Sequence, residues 1–290
     1  TFSAHSYGFR RGRACHHALE HVEQLLEAGY VHVVDADLKS YFDTIPKDRL
    51  MALVREKVSD RRVLRLVEMF LDQGVLEGLK EWTPETGTPQ GAVISPLLAN
   101  IYLNPLDHRL EEAGFAIVRY ADDFVILCQT REDAERALTA VQNWVDENDL
   151  TLHPIKTKIV DARTKSFDFL GYSFRGKLRL PRAKSLKKFK DTVRKNTKRK
   201  HGRSLLSTCG KLRAQLQGWF TYFRHCHWNV FQKLDGWIRG RLRSILRKRR
   251  KRRGRGRGSD HQRWPNAYFV EQGLYSLGAA HVRFVQSSKR

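Results

Sequence analysis

Two pairs of aspartates stand out because each pair borders a short apolar segment. Asp35 and Asp37 follow three valines in the segment V-H-V-V-D-A-D-L, residues 31–38. Successive strand residues point to opposite faces, so we expect these two carboxylates to share a face. Asp122 and Asp123 lie between two short apolar segments, at a position where a two-residue hairpin turn normally has Asn-Gly.

The chemistry these residues could perform depends on whether the two pairs meet. Either pair alone is most simply a solvated turn or strand edge. If the two segments lie side by side in one sheet, Asp37, Asp122 and Asp123 converge, and the mutual repulsion of their carboxylates favours bound Mg²⁺. Two Mg²⁺ ions about 3.5–4 Å apart can activate an attacking hydroxyl and stabilise a leaving pyrophosphate.

The apolar periodicity predicts the elements that would position these carboxylates. The predicted order is a helix over 14–28, a strand over 31–38, one or two helices over 47–72, a helix over 95–113, strands over 116–120 and 124–128, a helix over 131–148 and a strand over 152–161. This order is the split βαβ arrangement, an antiparallel sheet with helices on one face. Beyond residue 175 the apolar residues recur at three- and four-residue steps, which predicts a small helical bundle.

The charge is distributed very unevenly. Residues 1–175 hold 21 Lys/Arg and 27 Asp/Glu, whereas residues 176–290 hold 33 Lys/Arg and 4 Asp/Glu, a net charge of +29. Such a segment repels itself unless it meets a polyanion, so nucleic acid is the expected partner. A membrane surface is the second choice, disfavoured because the basic residues surround aromatic helices instead of forming one polar face.

Six segments in order, and two aromatic segments after them, resemble the reverse transcriptases encoded by group II introns. Tyr120-Ala121-Asp122-Asp123 resembles the Tyr-x-Asp-Asp catalytic box, and the segment D-L-K-S-Y-F-D at 37–43 resembles the first catalytic box. The other matching segments are S-Y-G-F-R at 6–10 with H-A-L at 17–19, G-T-P-Q-G at 87–91 with S-P-L-L-A-N at 95–100, K-T-K at 156–158, F-L-G-Y at 169–172, and the aromatic segments at 218–223 and 234–239, which resemble the maturase-specific domain.

The resemblance implies metal ligands. Asp37 and Asp122 would bind two Mg²⁺ ions, with Asp123 beside them and the backbone carbonyl of Leu38 joining the ligand set. Mn²⁺ is the expected substitute ion.

It also implies nucleotide-binding residues. Phe42 would lie under C2′ of the incoming sugar and favour dNTPs, although a plain core aromatic is the alternative. Gln90 and Gly91 would let the backbone approach the nascent base pair, since glycine alone permits such an approach. Lys156 or Lys158 would protonate the leaving pyrophosphate.

The resemblance and the charge together assign the RNA contacts to two basic clusters, at 184–203 and 239–257. Residues 239–257 hold twelve Lys/Arg and no acid. We expect Trp219, Phe220, Phe223 and Trp237 to be bundle core, and Tyr222 and Trp228 to be better placed for stacking on bases. The candidate RNA-binding residues are Arg10, Lys187, Lys188, Lys198, Arg199, Arg247, Lys248, Arg249 and Arg250.

The predicted fold is therefore α+β: a right-hand polymerase palm with part of the fingers over 1–175, a basic helical thumb or maturase domain over 176–265, and its tail over 266–290. The predicted function is RNA-directed DNA polymerisation with binding of structured intron RNA, serving splicing and retrohoming, with a DNA primer or target and dNTPs as partners. A catalytically idle RNA-binding splicing factor is the main alternative, and retron or diversity-generating enzymes are a third, disfavoured by the maturase-like aromatic segments.

Several further expectations follow from what the sequence contains. The family's first finger boxes and a Cys/His-rich nuclease module have no counterpart in residues 1–290, so we expect RNA binding with weak polymerisation. No pair among the four cysteines has Cys-x-x-Cys spacing, so we expect no structural zinc site. The simplest interpretation is a reduced, cytoplasmic protein, bacterial and nucleoid-associated when bound to DNA. No membrane is expected as a partner, and homodimerisation is left open.

Overall fold

The computed structural model of the chain describes residues 1–72, 75–77, 80–82, 87, 93–200, 202–252, 254 and 258–287, with side chains omitted for 75–77 and 80–82. It divides into two compact units. The first contains residues 1–170 and 174–177, and the second contains 171–173 and 178–290.

The first unit alternates helices and strands. Its elements are α1 (Cys15–Glu27), β1 (His32–Asp37), α2 (Tyr41–Thr44), α3 (Lys47–Arg55), α4 (Arg61–Leu71), β2 (Val75–Glu77), β3 (Lys80–Trp82), α5 (Ser95–Glu112), β4 (Ala116–Tyr120), β5 (Asp123–Cys128), α6 (Arg131–Glu147), β6 (Lys158–Asp161) and β7 (Phe167–Phe169). Local sequence explains several boundaries. The Asp60 side chain accepts from the backbone N–H groups of Arg62 and Val63 at the start of α4, and the Thr130 hydroxyl accepts from Asp133 at the start of α6.

A four-stranded antiparallel sheet in the order β4-β5-β1-β6 forms the centre of this unit. One face of β1 carries Val34 and Ala36, which are buried in the core with Phe124 and Ile126 of β5 and with residues of α5 and α6. The alternation predicted for residues 31–38 is therefore confirmed. The opposite face of β1 and β5 carries Asp35, Asp37 and Asp123 beside the fully buried Val33, Val125 and Leu127.

The second unit is a helical bundle preceded by a strand. The strands here are β8 (Tyr172–Arg175), which crosses the boundary between the units, and β9 (Leu178–Pro181). The helices that follow are α7 (Ala183–Asn196), α8 (Leu205–Phe223), α9 (Trp228–Arg249), α10 (Ser259–Arg263), α11 (Asn266–Glu271) and α12 (Leu277–Ser287). Buried Asp235 of α9 accepts hydrogen bonds from Ser276 Oγ (2.7 Å), Leu277 N (3.0 Å) and Gly278 N (3.1 Å), which satisfies the free N–H groups at the start of α12.

Two expectations about these segments were wrong. The strand predicted over 152–161 is regular only over Lys158–Asp161, and Leu152 forms one isolated bridge with Leu38. The strand β9 lies beyond residue 175, where only helix was expected. Its pairing follows a glycine turn, with Gly176 at φ +52°, and such a short hairpin leaves little periodicity for a sequence pattern to show.

The aromatic residues of the bundle divide differently from the expectation. Phe220 and Phe223 are buried, as predicted, and the Trp219 ring lies 4.5 Å from that of Phe189. Tyr222, expected off the core, packs its ring against Tyr172 and Phe223 at 6.0 and 4.9 Å. In the part of the chain that the structure describes, no helix combines the length and apolar character needed to cross a membrane.

Candidate active site and candidate RNA-binding surface

The antiparallel register of β1 and β5 places Asp37 directly opposite Asp123. Opposed residues of an antiparallel pair have side chains on the same face of the sheet, so the two carboxylates are neighbours. Asp35 shares that face two residues earlier on β1, and it lies opposite Val125. Helices α5 and α6 pack on the other face. The acidic face also carries the fully buried Val33, Val125 and Leu127, and α1 packs against β4 and β5.

Asp122 belongs to the turn between β4 and β5 instead of to either strand. The preceding residue, Ala121, has a left-handed backbone with φ +58°, a conformation that costs an L-residue about 1–2 kcal/mol. Burial raises the pKa of the half-buried Asp122 carboxyl, and the Asp37 charge adds to this effect. The charge of Arg119 and a hydrogen bond to its own backbone N–H act in the opposite direction.

Asp123 has the most perturbed carboxyl of the group. Desolvation, followed by repulsion from Asp35, Asp122 and Asp37, raises its pKa to about 6, against a hydrogen bond from Leu170 N at 3.4 Å. The residue is nevertheless exposed by its accessible surface.

These carboxylates fit a divalent cation by their chemistry. They supply only oxygen donors, which Mg²⁺ prefers, and their mutual repulsion is relieved by a cation. Among the described residues, however, no group of three or more His, Cys, Asp or Glu side chains is already arranged to hold a metal ion. The expectation that Asp37, Asp122 and Asp123 share one site therefore stays a prediction.

The two candidate lysines each face a different carboxylate of β1. Lys156 Nζ lies 2.9 Å from Asp37 Oδ2, and Lys158 Nζ lies 3.6 Å from Asp35 Oδ2. Both lysine side chains are more than half exposed, at 59% and 53%. Lys156 is thus the lysine beside the carboxylate that the catalytic assignment uses.

Of the remaining predicted nucleotide-site residues, Phe42 lies on α2. Phe42 is half-buried against the core, with its ring 5.5 Å from that of Tyr41 in an edge-to-face contact. Gly87, with φ +88°, donates its N–H to the Ile45 carbonyl at 2.8 Å, and a Cβ there would lie 2.7 Å from the backbone of Asp43. The G-T-P-Q-G segment therefore begins in direct contact with α2.

Some predicted residues are not tested by these contacts. Gln90 and Gly91 lie outside the described residues. Leu38 is buried and bridges to Leu152, while the neighbouring Asp37 carbonyl accepts from His153 N at 2.7 Å. The role of the Leu38 carbonyl as a metal ligand stays a prediction.

A buried polar network behind the acidic turn was not predicted from the sequence. Arg119, fully buried, donates to Asp107 Oδ1 (2.7 Å), Asn100 Oδ1 (2.8 Å) and the Ala121 carbonyl (2.9 Å). Asp107 and Asn100 lie seven residues apart on α5 and are both buried. The one available signal was this pair of polar residues, two helical turns apart, on a helix with many apolar neighbours.

Most of the predicted RNA ligands in the second unit are solvent-exposed cations. Arg10, in the first unit, and Arg247 differ from this pattern. Arg10 is half-buried, donates to the Ser3 and Ser6 carbonyls and covers the Phe2 ring, and Arg247 donates to buried Asp260 Oδ2 at 2.7 Å. The exposed set comprises Lys187, Lys188, Lys198, Arg199, Lys248, Arg249 and Arg250.

Trp237 was expected in the bundle core, and that expectation was wrong. The residue is half-buried, and its ring is faced by the cationic groups of Lys190, Arg194 and Arg241 at 5.9, 5.7 and 5.5 Å. Arg241 is fixed there by a 2.6 Å hydrogen bond to Thr197 Oγ1. The negative face of a tryptophan ring attracts a cationic group. A ring buried in an apolar core would have no such cations around it.

Comparison with protein families gives two matches along the chain. Residues 1–174 match the family described as reverse transcriptase (RNA-dependent DNA polymerase), and residues 186–264 match the group II intron maturase-specific domain. The solved structure of telomerase from Candida tropicalis in complex with a fragment of telomeric RNA covers 96% of this chain and 48% of its own, with a TM-score of 0.53 and 11% identity. At that identity the likeness shows a shared fold.

Curated relatives agree with these matches. Protein YkfC of Escherichia coli is 34% identical over 211 residues, covering 59% of this chain and 55% of YkfC. The group II intron-encoded protein LtrA of Lactococcus lactis is 41% identical over 107 residues, covering 37% of this chain and 18% of LtrA. The chain thus spans about half or less of the length of these relatives. It belongs to the reverse transcriptase (RNA-dependent DNA polymerase) family and is of the group II intron-encoded kind, with a maturase-specific domain.

Proposed function

We propose that this chain extends a DNA primer on an RNA template by nucleotidyl transfer and binds structured intron RNA, in the service of group II intron splicing and retrohoming. The observation that supports polymerisation best is the opposition of Asp37 and Asp123 across β1 and β5, with Asp122 in the adjoining turn. Two Mg²⁺ ions bound there would activate the primer 3′-hydroxyl and stabilise the leaving pyrophosphate.

The chain's own residues have distinct roles in this proposal. Asp37, Asp122 and Asp123 supply the oxygen ligands, and their spacing along two strands and one turn fixes where the reacting groups bind. Lys156 is the candidate proton donor to pyrophosphate, because its ammonium group already lies 2.9 Å from Asp37. Phe42 limits the space under the sugar and thereby selects dNTPs.

RNA binding is assigned to the second unit. Its exposed lysines and arginines greatly outnumber its acids, and several of those acids are already paired, as Asp260 is with Arg247 and Asp191 with Arg194. Phosphate contacts from such a surface are strong and not sequence-specific. Specificity for one intron RNA would require base contacts, for which the exposed Trp228 is a candidate.

The polymerisation proposal is tested by primer extension with the 290-residue chain. An oligo(dT) primer on poly(rA), dTTP and Mg²⁺ or Mn²⁺ should give extension in the wild type, and Asp122→Asn should abolish it. Because weak activity is expected, single-turnover conditions with enzyme in excess over primer are used. Extension that is equal in wild type and Asp122→Asn would exclude this site as its source.

The splicing-factor alternative predicts a different pair of results. In that case RNA binding would be tight and salt-dependent, while extension would be undetectable in both metals. Measuring RNA affinity by fluorescence anisotropy on the same preparations separates the two functions. A matched Asp122→Asn protein should bind RNA as the wild type does, since Asp122 lies in the palm turn and not in the basic unit.

A further inference from the structure

The turn that carries Asp122 is held from behind by a buried network. Arg119 is 0% exposed and Asp107 is 1% exposed. Two guanidinium nitrogens of Arg119 contact the two carboxylate oxygens of Asp107, so the pair is bidentate. A buried, paired charge of this kind has a fixed orientation, because breaking one contact leaves the other charge unsatisfied.

The remaining donor of this guanidinium points at the catalytic turn. Arg119 Nη1 donates both to the Ala121 carbonyl at 2.9 Å and to Asn100 Oδ1 at 2.8 Å. Ala121 has φ +58°, a backbone conformation that a non-glycine residue keeps only where its surroundings impose it.

A second contact lies against the preceding peptide, between Tyr120 and Ala121. Asn100 Nδ2 donates to the Gly8 carbonyl at 2.8 Å. A Cβ at Gly8 would lie 2.4 Å from Ala121 N, so only glycine permits this approach. The backbone of Arg119 is fixed as well, because its N–H donates to His5 at 3.0 Å and its carbonyl accepts from Tyr7 at 2.8 Å.

We propose that Arg119 is a positioning residue for the polymerase site: held by Asp107 and Asn100, it keeps Ala121 left-handed and so orients Asp122 toward Asp37 and Asp123. This inference rests on the proposed function, since it assigns a role in that same site. Arg119 is buried, so it does not touch the substrate and acts only through the turn.

The principal test compares Arg119→Lys with the wild type. Lysine keeps the charge beside Asp107 but cannot bond Asp107, Asn100 and Ala121 at once. We expect Mn²⁺ affinity, measured by electron paramagnetic resonance, to fall on the order of 10-fold, as for other groups that orient ligands. The extension rate kcat should fall about 10–100-fold with KM for dTTP little changed, because misplacement of reacting groups lowers the rate.

A matched control separates positioning from general loss of stability. Leu103 is fully buried on α5, one helical turn from both Asn100 and Asp107, and Leu103→Ala should lower Tm while it keeps every donor and acceptor of the network. Its Mn²⁺ affinity should stay within about twofold of wild type. The double variant Arg119→Met/Asp107→Leu, which removes both buried charges together, provides a second folded test if Arg119→Lys does not fold, and it should also lose Mn²⁺ affinity.

A rescue experiment tests the conformational claim. Glycine adopts positive φ without the penalty of alanine, so Ala121→Gly in the Arg119→Lys background should restore much of the lost Mn²⁺ affinity. Wild-type Mn²⁺ affinity in Arg119→Lys, an equal loss in Leu103→Ala at equal Tm, or failure of the glycine to rescue would each overturn the inference. Because Mn²⁺ binding is read without polymerisation, absence of primer extension in the wild type would refute the proposed function and leave this inference to be judged separately.

Discussion

Asp37 and Asp123 face each other as direct partners across β1 and β5, at the end of β1 and the start of β5. Neither strand needs a carboxylate there for its own stability, and two like charges at opposed positions destabilise an antiparallel pair. The arrangement therefore stores an electrostatic cost in the metal-free protein. A bound cation would relieve that electrostatic cost.

The first prediction concerns stability without metal. The pKa of Asp123 is raised from 3.8 to about 6. Between pH 3.8 and pH 6 this carboxyl is therefore mostly protonated in the folded protein and mostly ionised in the unfolded chain. The charged carboxylate thus lowers stability above pH 6, and protonation relieves the loss as pH falls below 6. In EDTA, Asp123→Asn should raise Tm by about 1–3 °C at pH 8, and the gain should shrink toward pH 5.

The control for this prediction has the opposite sign. Hydrogen bonds from Arg163 lower the pKa of Asp161 to about 2, so its charged form stabilises the fold at neutral pH. Asp161→Asn should therefore leave Tm unchanged or lower it at pH 8. A Tm gain for Asp123→Asn that is equal at pH 5 and pH 8 would show that the carboxylates do not repel one another as the geometry indicates.

The second prediction distinguishes the two lysines that the sequence left equivalent. Lys156 lies 2.9 Å from Asp37, whereas Lys158 is directed to Asp35 at 3.6 Å. We expect Lys156→Ala to lower the single-turnover rate of nucleotide addition about 10²-fold, in the range typical of lost general acid catalysis. Lys158→Ala should lower it less than about threefold, because no reacting group is assigned to Asp35.

A charge-preserving variant separates proton donation from ion pairing. Lys156→Arg keeps a cation beside Asp37, but a guanidinium does not release its proton at neutral pH. Its RNA and dTTP affinities should match the wild type while its rate stays as low as that of Lys156→Ala. A normal rate in Lys156→Arg would mean that the residue only balances the charge of Asp37.

The sequence predicts the elements that local periodicity determines better than it predicts contacts between distant segments. The strand over 31–38 and the helices over 95–113 and 131–148 followed from local periodicity, and each is present within one or two residues. The acidic face of β1 followed from the same alternation. The pairing of Asp37 with Asp123 needed in addition the resemblance that placed both segments in one palm.

What the sequence could not supply was long-range and polar. Nothing local to Arg119 on β4 shows that its side chain is buried, because arginine is mostly exposed and its side-chain partners Asp107 and Asn100 are on α5. Trp237 lies on an apolar stripe of the sequence, which predicted that it would be core, yet cationic side chains from two helices face its ring. The hairpin around Gly176 was too short to give a period.

The third prediction concerns sugar selection. Phe42 is half-buried, so part of its ring is accessible to a bound nucleotide. Phe42→Ala should increase ribonucleotide incorporation relative to dNTPs at least about 10-fold, because the steric clash with the 2′-hydroxyl is lost; a 10-fold change corresponds to about 1.4 kcal/mol. The control is Tyr41→Phe, which removes only the buried hydrogen bond to the Ala99 carbonyl. An unchanged dNTP preference in Phe42→Ala would identify the ring as core alone.

The last prediction concerns the basic surface of the second unit. Each phosphate neutralised contributes a slope of about −0.7 to −0.9 to the dependence of log affinity on log salt concentration. With six or more contacts, RNA affinity should fall ~10³-fold or more between 50 and 200 mM salt. Lys248, Arg249 and Arg250 are exposed at the end of α9, whereas Arg247 holds buried Asp260. We therefore leave Arg247 unchanged and replace only the three exposed residues with glutamine.

The triple variant should weaken binding of many RNAs alike and flatten the salt slope by about two to three units. Its control removes three exposed cations of the first unit, Arg131, Arg136 and Arg163, each of which is paired with an acid. That control loses the same net charge but no phosphate contact, so RNA binding should release as many counterions as in the wild type. Its salt slope should therefore match that of the wild type. If the α9 variant also keeps the wild-type slope, the phosphate contacts lie elsewhere, and the same substitution of Lys187, Lys188, Lys198 and Arg199 then tests the first basic cluster.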